Sequence, residues 1–234
     1  MLLESLRGVG VDISCIRSTD KSTGVAVITV IGGDNRIILS EGANGVVDED
    51  DVQNLLRDAR EGDIFVTQLE NPYPVVLYGL RISKEKGLYT VLNPAPARGD
   101  VLEAIGYADL ILPNRKELRL LSGEEDIDEG CKHLLEAGAK AVIVTLGENG
   151  SLLVTENGQR KIASVHCGET LDTTGAGDTF CGALCARLAE GEALEKAAHF
   201  ASVCSGIAVT RRGAQIAVPT KEEVVALGKI FSIE

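Results

Sequence analysis

The stretch Asp172-Thr173-Thr174-Gly175-Ala176-Gly177-Asp178-Thr179-Phe180 puts carboxylates, hydroxyls and two glycines into one short segment. Gly175 and Gly177 allow a tight turn and close approach of backbone to a ligand. Phe180, Leu184 and Leu188 follow at helical spacing, so a helix starts here. The first-turn amides of such a helix have no intrahelical acceptors and lie at the positive end of its dipole. The segment Gly175, Ala176, Gly177 is therefore a seat for a phosphate or a developing anion. Asp178 stands at that mouth, where a carboxylate can take a proton from a hydroxyl while the amides hold a phosphoryl group. The same residues also describe an ordinary capped turn with an acidic first-turn residue.

Two other phosphate-binding loops can be tested directly. A P-loop ends in Gly-Lys-Ser/Thr, and no glycine-rich stretch here does. The dinucleotide fingerprint needs a third glycine five residues after the first, where this chain has Phe180, and it belongs after a first strand rather than late in the chain.

The elements that must hold this stretch alternate along the chain. Two β-branched runs, Gly24 to Ile31 and Arg36 to Ser40, flank Gly32-Gly33-Asp34-Asn35 and predict a hairpin. After Asp48 come a helix over 49–60, a strand over 64–69, a helix over 74–86 and a strand over 89–92. Further strands are expected at 108–112 and 141–146. That alternation predicts a three-layer α-β-α sandwich with a mostly parallel sheet, whose ligands bind at the carboxyl ends of the strands. Glu70-Asn71-Pro72, the segment Asn93 to Arg98 and Pro113-Asn114 follow three of these strands. Asn114 is also a good N-cap for a helix carrying Leu118 and Leu121. A second hairpin is expected around Glu156-Asn157-Gly158, and helices over 176–190, 193–209 and 220–231 complete the chain.

The composition narrows the function classes. A chain of 234 residues that is 44% hydrophobic and 25% charged can bury a sizeable core as one α/β unit. Its net charge of -12 opposes a nucleic-acid backbone or an anionic membrane as partner. No apolar run approaches the span of a bilayer and the first residues lack a signal peptide's apolar centre, so the chain reads as cytoplasmic, or nuclear in a eukaryote. Cys15, Cys131, Cys167, Cys181, Cys185 and Cys204 form no Cys-x-x-Cys pair, and the histidines are dispersed. No metal site is assigned to them, and Cys181 with Cys185 reads as core.

The ordered series Ser22-Thr23-Gly24-Val25-Ala26, Glu41-Gly42-Ala43-Asn44, Gln68-Leu69-Glu70, Asn93-Pro94-Ala95-Pro96-Ala97-Arg98, Pro113-Asn114, Thr145-Leu146-Gly147, Asp172 to Phe180 and Ala208 to Gln215 resembles the ribokinase branch of the PfkB carbohydrate-kinase family. The resemblance runs from about residue 10 to the end of the chain. It implies one kinase domain over 1–234 that phosphorylates D-ribose with ATP in ribose catabolism. Asp178 would be the general base, with the Gly175, Ala176, Gly177 and Asp178 amides as an anion hole. By the same resemblance, Asn114 and Thr145, Leu146, Gly147, Glu148, Asn149 and Gly150 would hold the nucleotide phosphates, Ser202 would lie beside the adenine, and Glu70 would approach the sugar. A potassium ion would sit on Asp172, Thr174, Ala208, Arg211, Gly213 and the Ala217 position, while magnesium would arrive with ATP.

Against the family pattern, the opening strand, hairpin lid and Gly-Gly-Lys-Gly-Ala-Asn-like segment are absent, so the chain reads as N-terminally truncated and short of sheet strands. The lid strands often form a dimer contact in the family, so a homodimer is expected where that segment is supplied. Gly32-Gly33 is not the missing motif, because Asp34-Asn35 follows it. Two alternatives stand beside the ribose kinase: a nucleotide-binding form without turnover, and a PfkB kinase for another sugar or a nucleoside.

Overall fold

The computed structural model describes residues 2–31 and 34–231. A short helix α1 (Leu2–Gly8) precedes an antiparallel hairpin of β1 (Val25–Ile31) and β2 (Asp34–Ser40), which forms a separate two-stranded sheet. The hairpin expected from sequence is present, while its Gly32-Gly33 turn lies outside the described residues. A 3-10 turn at Gly42–Val46 then leads to α2 (Glu49–Leu55), whose start is fixed by a capping box between Asp48 and Asp51.

From there strands and helices alternate. The order is β3 (Ile64–Thr67), α3 (Tyr73–Glu85), β4 (Tyr89–Leu92), α4 (Leu102–Ile105), β5 (Leu110–Ile111), α5 (Arg115–Ser122), α6 (Ile127–Glu136) and β6 (Ala141–Thr145). These strands pair in parallel in the order β3-β4-β5-β6, and β7 (Ser151–Thr155) and β8 (Gly158–Ile162) extend the sheet antiparallel. The chain closes with α7 (Ala176–Ala189), α8 (Leu194–Ala208) and α9 (Lys221–Phe231). β4 has the bounds expected from sequence, while β3, β5 and β6 are shorter than the apolar runs that announce them, because the last residues of those runs turn into the loops of the site and β5 also starts two residues late. The sequence reading did not include α1, α4 or α6.

Side-chain alternation along the strands sorts the core into two layers. Phe65, Leu92, Ile111, Val142 and Val144 point to α2, α3, α5 and α6. Their neighbours Val91, Leu110 and Ile143 point to α7 and α8, where Phe180, Cys181, Leu184, Cys185 and Ala201 meet them. Helices therefore cover both faces of a mostly parallel sheet. At the edge strand β3 the α7 face is thin, and Val66 there keeps 42% of its surface exposed.

A buried carboxylate ties the amino ends of the strands together. Asp109, only 4% exposed, accepts from the Thr90 amide and hydroxyl, both at 3.0 Å, and from the ammonium groups of Lys84 and, at 2.9 Å, Lys140. Burial alone would raise its pKa. The two lysines and Thr90 outweigh that and hold it at about 2. No helix among the described residues is long and apolar enough to cross a membrane.

Candidate active site

The site lies at the opposite, carboxyl end of the parallel strands. Thr145 at the end of β6 bridges to Asn114 at the start of α5, and the Thr145 amide donates to Pro113 O at 2.9 Å. After β3, the Leu69 amide donates to Ala95 O at 3.0 Å, which binds the loop carrying Glu70 to the Asn93 to Arg98 loop. Glu70 itself is exposed and makes no hydrogen bond or ion pair among the described residues. In the neighbouring loop the Ala95-Pro96 peptide is cis, and Arg98 forks onto Asp100 at 2.6 and 2.8 Å while lying 5.2 Å over the Tyr73 ring.

Gly175 caps α7 in the left-handed region, at φ 72, where a side chain would be strained. The Ala176 amide closes the preceding turn onto Thr173 O at 3.2 Å, and the Thr179 amide returns to Gly175 O at 2.8 Å. Among the described residues the amides of Gly175, Gly177 and Asp178 have no protein acceptor. Of the four amides expected from sequence to form an anion hole, that of Ala176 is committed to its own turn, and the other three have no acceptor among the described residues. Asp178 is exposed at the helix mouth.

Within electrostatic reach of it is a residue the sequence reading gave no role. Asn114 caps α5 through a reciprocal box in which the Glu117 amide donates to Asn114 Oδ1 at 2.9 Å and the Asn114 amide donates to Glu117 Oε2 at 2.7 Å. This confirms Asn114 as a cap and leaves its NH2 group without an acceptor among the described residues. The pKa of Glu117 is raised, first by burial and then by the negative charge of Asp178, with the Asn114 amide acting against both. The Asp178 carboxylate at the start of α7 thus lies near enough to act electrostatically on Glu117 at the start of α5. The Asn-x-x-Glu spacing could have marked Glu117, because a capping box aims its acidic member back at the helix mouth.

On the β6 side of the site, Gly147–Asn149 forms a 3-10 turn closed by Leu146 N–H to Gly150 O at 2.8 Å. Gly150 has φ 82, and a Cβ there would stand 2.1 Å from Ile162 O, so only glycine fits. Ser164 Oγ donates to Glu148 O at 2.6 Å and fixes the outer side of this turn. Ser202 is buried within α8, and its hydroxyl donates to Ala198 O at 3.1 Å, the usual recourse of a serine inside a helix.

The residues expected to hold a monovalent cation are drawn together by Asp172. Its carboxylate accepts from the Thr174 amide at 2.9 Å and the Gly213 amide at 3.0 Å, so the 172–174 and 208–213 segments lie side by side. The Gly213 amide, then the Thr174 hydroxyl and amide, lower the Asp172 pKa to about 2. The Ala208 carbonyl accepts the Arg211 amide at 3.0 Å, the Arg211 side chain pairs with Glu223 at 2.7 Å, and Ala217 is buried in a 3-10 turn. The donor set is hard oxygen, carboxylate and carbonyl, and it suits an alkali cation better than a transition metal.

One flank of Asp178 opens on an apolar trough of about 470 Å³, floored along α7 by Gly182, Ala183 and Ala186 and walled by Phe200, Val218 and Val224.

An α/β sandwich with helix-start amides, a carboxylate among them and loops at the strand ends defines a phosphoryl-transfer enzyme. The model for pfkB family carbohydrate kinases matches residues 1–221. The chain is 37% identical over 233 residues to a ribokinase of Schizosaccharomyces pombe, covering 95% of this chain and 73% of that protein. Among solved structures it resembles ribokinase from Thermotoga maritima, with a TM-score of 0.84 and 34% identity over 97% of this chain and 76% of that one. Ribokinase from Giardia lamblia gives a TM-score of 0.87 and 31% identity over 98% and 78%. The chain belongs to the PfkB family of carbohydrate kinases and is a transferase of that class.

Proposed function

We propose that this chain transfers the γ-phosphoryl group of ATP to the primary hydroxyl of D-ribose, giving D-ribose 5-phosphate, as a single kinase domain. The observation that carries the reading is the start of α7, where the unpaired amides of Gly175, Gly177 and Asp178 accompany a carboxylate close enough to Glu117 to raise its pKa. Asp178 takes the hydroxyl proton as the sugar oxygen attacks the γ-phosphorus, and the bond to the ADP oxygen breaks. The amides hold the charge spread over the transferring group. Thr145 to Gly150 and the Asn114 NH2 line the path of the nucleotide phosphates, and Glu70 reaches the sugar side. The segments tied by Asp172 would hold potassium, which fixes the loops that frame the amides. Glu117 and Asp178 are the carboxylates that could hold magnesium arriving with ATP, which would supply charge neutralisation.

Asp178→Asn tests this directly, since it removes the base and leaves the amides. ATP affinity should stay within about twofold of wild type while ribose-dependent ADP production falls about 10² to 10⁴-fold. Equal losses in binding and turnover would make Asp178 structural. A second reading, nucleotide binding without turnover, is favoured by the open flank beside Asp178 and the exposed Val66 on edge strand β3. Calorimetric ADP binding with no phosphorylation of ribose by the wild-type chain would select it. Turnover with fructose or a nucleoside but not ribose would keep the chemistry and change the acceptor.

A further inference from the structure

The start of α7 is held from a second helix. Ser205 lies in α8, and its hydroxyl donates to Ala176 O at 3.1 Å. Four residues further along the same side of α8, Val209 O accepts the Leu171 amide at 2.8 Å and the Asp172 amide at 3.2 Å. The turn that leads into α7 is therefore fastened to one side of α8 at two points, one before Thr173 and one after Gly175. A serine inside a helix ordinarily turns back to the carbonyl four residues before it, as Ser202 does. Ser205 instead reaches α7, 29 residues away in sequence.

That bond decides where an amide points. The Ala176 carbonyl and the Gly177 N–H belong to one planar trans peptide, so they point in opposite directions and holding one aims the other. Gly177 is one of the three residues whose amides have no acceptor among the described residues, and of those three it alone has its peptide carbonyl bound by a side chain of another helix. Packing gives this peptide little else to hold it. Ala176 offers only a methyl group, Gly177 has no side chain, and a Cβ added at Gly177 would meet nothing within 4 Å. The peptide also sits in the first turn of its helix, where helices fray. The preceding peptide needs no such help, because the Ala176 amide donates to Thr173 O and the Gly175 carbonyl accepts from Thr179.

We infer that Ser205 is a positioning residue for phosphoryl transfer, acting through the Ala176–Gly177 peptide to aim the Gly177 N–H at the transferring group. The inference rests on the reading of these amides as the seat of that group. Such a donor counts most where charge spreads over the transferring phosphoryl group and little in the ADP ground state, so its misalignment shows in the binding of a transition-state mimic.

Calorimetry on the full chain with magnesium and ADP, alone and with aluminium fluoride in the place of the transferring group, separates the two. Wild type should bind the fluoride complex more tightly than ADP alone. Ser205→Ala should keep ADP affinity within about twofold and lose about tenfold in affinity for the fluoride complex, part of the roughly 10² to 10³ that outright removal of a donor costs. Ser205→Thr keeps the hydroxyl and should restore the loss. Alanine is the better helix former, so a serine with a merely structural role predicts no selective loss in Ser205→Ala. The full fluoride gain in Ser205→Ala, an equal loss of both ligands, or a loss that folded Ser205→Thr does not restore would overturn the inference. The comparison of Ser205→Ala with wild type decides it even where far-UV circular dichroism shows Ser205→Thr unfolded. No gain from aluminium fluoride in the wild type would remove the amide seat itself, and with it both the proposed function and the role of Ser205.

Discussion

Asp109→Asn isolates the clamp at the amino ends of the strands from the site at their carboxyl ends. A carboxyl group held at about 2 instead of 3.8 stabilises the folded state at neutral pH by about 2.5 kcal/mol. Two considerations bound the loss in the variant. The carboxamide oxygen introduced by the substitution can still accept from the Thr90 amide, but Lys84 and Lys140 lose their counter-ion. Their side chains, 32% and 71% exposed, can turn to water, so the full cost of an orphaned buried charge is not reached. Asp109→Asn should therefore lower stability at pH 7 by about 2 to 3 kcal/mol, or Tm by about 5 to 10 °C for a chain of this size. The sign with pH follows from the lowered pKa. The contribution is complete above about 4 and is lost as pH falls through about 2, where about 0.4 kcal/mol remains. Urea denaturation followed by circular dichroism, on wild type and variant from pH 7 to 2.5, reads the difference, and other acid-sensitive carboxylates cancel because both proteins carry them. The gap should narrow steadily below pH 4. A gap that stays constant down to pH 2.5, or is under about 0.5 kcal/mol at pH 7, would refute the ion-pair argument.

Two further outcomes bear on the site itself. Gly150→Ala puts a methyl group 2.1 Å from Ile162 O at a positive φ, so the 147–149 turn must shift, and ADP affinity measured by calorimetry should fall at least about tenfold with the fold retained. Asp172→Asn weakens the tie between the 172–174 and 208–213 segments, so the potassium concentration for half activity should rise while turnover at saturating potassium stays near wild type. An unchanged potassium dependence would remove Asp172 from the cation site.

The sheet was legible because its strands are buried on both faces and so appear as unbroken Val, Ile and Leu runs, as in 141–146, with glycine, proline and asparagine marking where each stops. The hairpins around 32–35 and 156–158 were legible from their turn residues, though only the second turn falls within the described residues. Other elements left weaker marks. Helix α4 is a single turn, and α1 has apolar spacing but buries nothing, so neither has the pattern a packed helix imposes. Helix α6 was readable, with Asp126 accepting from the Asp128 and Glu129 amides and Cys131 and Leu134 facing inward, yet its polar first turn resembles loop sequence. In the site, the start of α7 was visible as a pattern. The bond of the Ala176 amide to Thr173 and that of the Ser202 hydroxyl to Ala198 depend on local hydrogen-bond competition that spacing does not encode.

The pairing of Glu117 with Asp178 constrains what the site can hold. Two carboxylates within electrostatic reach repel each other, and burial already raises the Glu117 pKa without help from its neighbour. A fold that needed only a stable loop could leave both positions neutral at no cost to its core, since Asn114 caps α5 through its own side chain. What offsets the repulsion is on either side: the positive ends of α5 and α7, with unpaired amides at Gly175, Gly177 and Asp178. Anionic side chains beside unpaired donors form a mixed field, which a simple anion or a simple cation would fill poorly. An anion that brings its own cation would suit it better, since the amides could hold phosphate oxygens while the carboxylates could hold the cation. A magnesium nucleotide has that form, and on the proposed reading Asp178 would serve as the base for the incoming hydroxyl.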